Sequence, residues 1–295
     1  MIGWLAAFAI ARSATAEDWP TGYVVYENSE SPDERYGILV ATVDAAENDE
    51  ALEETNYFAD LKNHHILGKI EGADYFEHQN HRGLKTVWAD DSNWCVVQYD
   101  QRFGFDSISI IEPKETKFVQ TDIGKRIVKA LSAAIKSKGD GDDESGGDAA
   151  PYYRFDGTKV LVRVASTADP KEMDIKHARY AYFRGTFDVK SKKWLNADAR
   201  RLNFEDYQNS DIALGDIDDD MSNRTFDSED DKLKSLDESM NGVYSFLHTI
   251  LPPARFAAIK KEQIEWLKKR DAARGVEEKS KLVQERIGAL QDSLW

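Results

Sequence analysis

Between Tyr23 and Leu202 the apolar positions come in short runs rich in Val, Ile, Tyr, Phe and Trp. Such runs predict strands. They fall at Tyr23–Tyr26, Tyr36–Val43, Tyr57–Leu61, Thr86–Trp88, Trp94–Tyr99, Ser107–Ile111, Lys159–Val164 and Tyr180–Val189. One helical period interrupts them: Ile123, Ile127, Leu131 and Ile135 recur every fourth residue, behind a cap at Thr121 or Asp122 and ahead of Lys136–Lys138. From Leu233 the period becomes helical throughout. Leu233, Leu236, Met240, Val243, Leu247 and Leu251 form one stripe, which Pro252-Pro253 ends. Phe256, Ile259, Gln263, Trp266, Leu267 and Arg270 form a second, closed by Gly275, and Val276, Leu282 or Val283, Ile287, Leu290 and Leu294 a third. Short connections predict antiparallel neighbours.

The strand region carries a loose repeat. Turns at Ser31–Tyr36, Asp90–Trp94 and Phe155–Lys159 each open a strand, followed by a longer loop and a hairpin. Their markers Asp33, Asp91 and Asp156 stand 58 and 65 residues apart. The unit resembles a β-propeller blade. Three irregular units are too few to close a ring of four to eight blades, so an antiparallel meander or incomplete propeller-like sheet is expected. The fold class is therefore α+β: a β-rich region with one helix, then a small antiparallel helical domain.

Charge sharpens the boundaries. The 295 residues carry a formal charge of −15. The run Gly139–Ala150 holds four glycines and five acids without a base, which predicts a flexible acidic loop. Residues 203–232 hold eleven acids against Arg224 and Lys232, which predicts an acidic linker. From Leu233 onward the net charge is +2. The expected organisation is 17–202 β-rich, 203–232 linker and 233–295 helical. An acidic surface repels phosphates and anionic lipid, so nucleic acid is not an expected partner.

Residues Ile2–Ala11 are almost wholly apolar, and Ala14-Thr15-Ala16 gives a small-x-small site before Glu17. This predicts a signal peptide over residues 1–16 and a periplasmic or secreted protein without a transmembrane span. The one cysteine, Cys95, permits no internal disulfide and lies in a β run, which predicts a buried inert thiol.

Candidate chemistry is sparse. His64, His65, His78 and His81 cluster in sequence, with Glu77 nearby, but no third ligand completes a zinc set. Asp216, Asp218, Asp220 and Asp227 carry a partial EF-hand spacing, but Met221 stands where the loop needs glycine. The chain holds no G-x-S-x-G, P-loop, G-x-G-x-x-G or H-E-x-x-H. Neither metal nor cofactor is expected, and no catalytic residue is assigned. Trp88, Trp94, Tyr99, Phe103 and Phe105 form either a ligand surface or core.

One motif stands out. Met240-Asn241-Gly242-Val243-Tyr244, then Leu251-Pro252, then Gln263-x-x-Trp266-Leu267-x-x-Arg270-Asp271-Ala272, resembles the LprI-type lysozyme inhibitor domain of exported bacterial proteins. The likeness covers Lys232 to Arg274 and lacks the cysteines common in that family. It implies a binding protein rather than an enzyme, with Asn241, Tyr244, Gln263, Trp266, Arg270 and Asp271 as contact residues and a lysozyme, or another cell-envelope protein, as partner. The alternative is a cell-envelope interaction or scaffold module whose β domain binds the ligand. Gln263, Trp266 and Arg270 also sit at i, i+3 and i+7, where packing in a helix–helix seam is the commoner role.

Overall fold

A computed structural model describes residues 19–48, 55–72, 74–135, 149–168, 179–215, 217–222 and 224–295. The class is α+β, with three antiparallel four-stranded sheets rather than one. The strands are β1 (Tyr23–Val25), β2 (Tyr36–Ala41), β3 (Tyr57–Asp60), β4 (His65–Lys69), β5 (Gly83–Trp88), β6 (Cys95–Asp100), β7 (Phe105–Pro113), β8 (Phe118–Asp122), β9 (Ala149–Asp156), β10 (Lys159–Thr167), β11 (Tyr180–Asp188) and β12 (Lys193–Leu202). Their orders are β1-β2-β3-β4, β5-β6-β7-β8 and β12-β11-β10-β9. Each sheet thus keeps chain order. Asp33 and Asp91 fall between the first and second strand of their sheets, and Asp156 ends the first strand of the third. The repeat marks three sheets.

Contacts divide the chain into two compact units, one from residues up to Val97 with Ile111–Gln120, the other from Gln98–Ile110 with Thr121–Trp295. In the first, every residue of β2 is buried. The Ser31 hydroxyl shapes the turn before it, accepting from the Arg35 and Tyr36 amides (3.1 and 2.9 Å) and donating to Asp33 Oδ1 (2.6 Å). The strand stops at Ala41, short of the expected Val43. The Thr42 hydroxyl accepts from the Ala45 amide (3.3 Å) and starts a short helix, α1 (Val43–Asn48).

In the second unit, α2 (Gly124–Ile135) buries Ile127 and Leu131 and lies along β11 and β12. Asp122 Oδ1 accepts from the Lys125 amide (3.2 Å), as a cap should. The long C-terminal helices are α5 (Glu229–Ile250), α6 (Pro253–Ala272) and α7 (Val276–Asp292). They do not form a separate core. Leu236, Val243, Phe246, Val283, Ile287 and Leu290 share one cluster with Ala165, Tyr180, Tyr182 and Leu202 of the β9–β12 sheet.

The acidic stretch 203–232 is also not a linker. It forms α3 (Phe204–Leu214), α4 (Ile217–Ser222) and the first turn of α5. Asn203 caps α3 by accepting from the Asp206 amide (2.8 Å), and Glu205 and Asp206 suit the positive end of the helix. Tyr207 stacks on Tyr180 at 4.5 Å, and Ala213 and Leu214 are buried. Counting charges hid these apolar contacts. Gly242 lets α5 approach α3, since a Cβ there would lie 2.7 Å from Asn209 Oδ1. The expected loop 139–150 is shorter than its sequence suggests: Ala149 and Ala150 begin β9, and 139–148 lie outside the described residues.

Residues 1–18, with the expected signal peptide, lie outside the described residues too. Among those described, no helix is long and apolar enough to cross a membrane.

Candidate functional site

Helices α5 and α6 enclose an open groove of about 430 Å³. Asp237, Met240, Asn241 and Tyr244 line it from α5, at the i, i+3, i+4 and i+7 spacing of one helix face. Lys260, Gln263, Ile264, Leu267 and Arg270 line it from α6. Only Ile259 and Gln263 of the twenty α6 residues are buried. The helix therefore leaves apolar surface open, and Ile264 is 48% exposed.

The buried polar centre of the groove is Gln263. Its Oε1 accepts from Arg286 Nε of α7 (2.8 Å), and its amide nitrogen lies 3.6 Å from the Met240 sulfur. The acceptor is committed to Arg286, so the amide NH₂ is the edge left for the groove. Arg286 itself is 9% exposed. Its Nη1 lies 3.6 Å from Glu262, and its Nη2 is buried with no hydrogen-bond partner among the described residues. Burial pushes the Tyr244 hydroxyl above its ordinary range, with Arg286 pulling the other way. The Tyr244 ring is held against Phe256 at 5.0 Å.

At the rim, Arg270 Nη1 meets Asp237 Oδ1 at 2.9 Å and ties α6 to α5. Its guanidinium also lies 5.4 Å over the Trp266 ring. Lys260 is exposed and forms no ion pair among the described residues. The lining thus carries two cations against one anion, and neither histidine nor cysteine.

Of the six residues named by the motif, Asn241, Tyr244, Gln263 and Arg270 come together here. Trp266 does not line the groove; it is half-buried and packs on the core. Asp271 is exposed beside Arg270 (3.4 Å). Sequence reasoning missed Lys260 and Ile264, which carry no periodic signal, and Arg286. That arginine could have been found: it falls three residues after Val283 and four before Leu290, inside an apolar stripe.

The other candidates resolve as structure. His64, His78 and His81 occupy positive-φ positions (46°, 59° and 60°) in turns. Among the described residues no three His, Cys, Asp or Glu side chains are grouped to hold a metal ion. Residues 217–222 are helical, unlike a calcium loop, while Asp216 and the side chains of Asp218 and Asp220 lie outside the described residues. Cys95 is wholly buried, which pushes its thiol well above the usual range. Trp94, Tyr99 and Phe105 are buried, and Trp88 donates its indole N–H to the Ser29 carbonyl (2.9 Å). Trp94, Tyr99 and Phe105 are thus core, whereas Trp88 and Phe103 are half-buried.

No family model, no curated protein and no solved structure matches this chain.

Proposed function

We propose that the chain is an exported, non-catalytic binding protein that engages a partner protein through the α5–α6 groove, with a lysozyme as the partner that the motif suggests. The observation that carries this reading is the convergence of Asn241, Tyr244, Gln263 and Arg270 in one open groove with exposed apolar surface at its edge. Binding sites of this kind combine an apolar anchor with a few placed polar groups. The lining favours binding over catalysis. Its one carboxylate, Asp237, is held in an ion pair, and burial keeps the Tyr244 hydroxyl neutral at pH 7. Neither a nucleophile nor a base is poised there. Trp94, Tyr99 and Phe105 of the β region are buried, so the helices are preferred as the contact surface. The groove itself is slightly cationic, so attraction of a basic lysozyme would come from the acidic remainder of the chain.

The test is lysis of a cell-wall suspension by c-type lysozyme, titrated with wild type, Lys260→Gln and Ile264→Asn. Both positions are exposed, so folding is retained. Inhibition by wild type that weakens tenfold or more in both variants is the expected outcome. Equal inhibition by all three proteins would remove the groove from the account, and no inhibition by wild type would remove lysozyme.

A further inference from the structure

Strand register concentrates arginine on one face of the β9–β12 sheet. Arg163 on β10 stands directly opposite Arg184 on β11, and Arg200 on β12 stands opposite Tyr182. Arg163 is 7% exposed, and its guanidinium is committed to backbone carbonyls. Nε and Nη2 donate to Leu294 (3.1 and 2.9 Å), and Nη1 donates to Val162 and Gly185 (2.9 and 3.2 Å). The Trp295 ring covers it at 5.1 Å. Arg200 Nη1 donates to the Thr249 carbonyl at the end of α5 (3.0 Å). Arg184 is half-buried and makes neither a hydrogen bond nor an ion pair among the described residues. Asp198 is opposite it on β12 but is exposed and forms no ion pair among the described residues. Arg255, exposed near the start of α6, adds its charge to Arg163 and Tyr182.

This arrangement is unusual in a chain of net charge −15. Like charges directly opposite across strands are destabilising. A buried guanidinium without a carboxylate is costly, even when carbonyls satisfy its donors. Tyr182 does not neutralise the group: burial, against the pull of four guanidinium groups, pushes its hydroxyl up to about 12, so it stays protonated at neutral pH. Among the described residues no carboxylate lies within 4.0 Å of any of the four arginines.

We propose that the part of this face around half-buried Arg184 is a binding site for an oxyanion of carboxylate or phosphate chemistry. Arg184 supplies an uncommitted planar fork suited to bidentate contact. Arg200 stands opposite Tyr182 on the neighbouring strand, Arg163 contributes a fixed buried charge from β10, and Arg255 adds charge from α6. The site is separate from the α5–α6 groove, and its failure would leave the groove reading untouched.

The experiment uses the full chain in thermal-shift and calorimetric titrations with inorganic phosphate, succinate and sodium chloride at matched ionic strength. The expected result is a saturable rise in Tm with phosphate or succinate beyond that with chloride, weakened about tenfold or more in apparent affinity by Arg184→Gln and by Arg255→Gln. Arg255 is exposed, so its variant keeps the test decisive if Arg184→Gln does not fold. A stronger response to phosphate would assign phosphate chemistry, and a stronger response to succinate would assign carboxylate chemistry. Oxyanions no better than chloride, or a response unchanged in both variants, would overturn the proposal.

Discussion

Replacing Gln263 separates two roles that its position combines. The side chain holds Arg286 through a 2.8 Å bond to a guanidinium that is already short of one partner. A hydrogen bond to a charged group is worth about 1.5–3 kcal/mol, and stripping the partner from a buried charge costs about 3–5 kcal/mol. Arg286 retains Glu262 at 3.6 Å, which offsets part of that loss. Gln263→Leu should therefore lower unfolding stability by about 2–4 kcal/mol. Gln263→Glu keeps the acceptor and adds the opposite charge, so at pH 7 it should stay within about 1 kcal/mol of wild type. The new glutamate would be depressed in the folded state by Arg286. Its stabilisation is then present above the unfolded value of about 4.3 and lost as pH falls through the folded one. Joining Gln263→Leu to Arg286→Leu should recover stability, because both buried polar partners leave together. Urea denaturation with unchanged m values is the assay. Equal losses in the Leu and Glu variants would refute the idea that Arg286 is an anchored buried cation.

Three further outcomes follow from the packing. Asn203→Ala should cost about 1 kcal/mol and speed amide exchange across residues 204–214, because Asn203 caps α3; no change would return this stretch to a linker. Deleting Leu294 and Trp295 should cost about 3 kcal/mol or more in denaturation, since Arg163 loses the carbonyl that holds two of its donors. Cys95 should resist thiol reagents at pH 8 until the chain unfolds; rapid native reaction would contradict its burial.

What the sequence reveals depends on burial. All eight strands read from apolar runs are present. The four that were missed, β4, β8, β9 and β12, each end a sheet. An edge strand is half solvated, and β12 (KWLNADARRL) keeps only Leu202 buried, so its pattern resembles a polar segment. Helix α3 was hidden by the charge of the stretch around it, eleven acids within residues 203–232, although Tyr207, Ala213 and Leu214 suffice to dock it. The stripes of α5 to α7 were legible at their three- and four-residue spacing. Their sharing of a core with the β9–β12 sheet was not, because periodicity shows which face is buried and not what covers it. The groove follows the same rule. Asn241, Tyr244, Gln263 and Arg270 stood out as a motif, whereas Lys260 and Ile264 are exposed and left no trace.

The measurement closest to the central claim is direct binding of lysozyme to the full chain by calorimetry, at low and high salt, with Ile264→Asn beside wild type. Binding that weakens with salt and falls tenfold or more in Ile264→Asn is the predicted result. Binding that is indifferent to the groove substitution, or no binding at low salt, would contradict it.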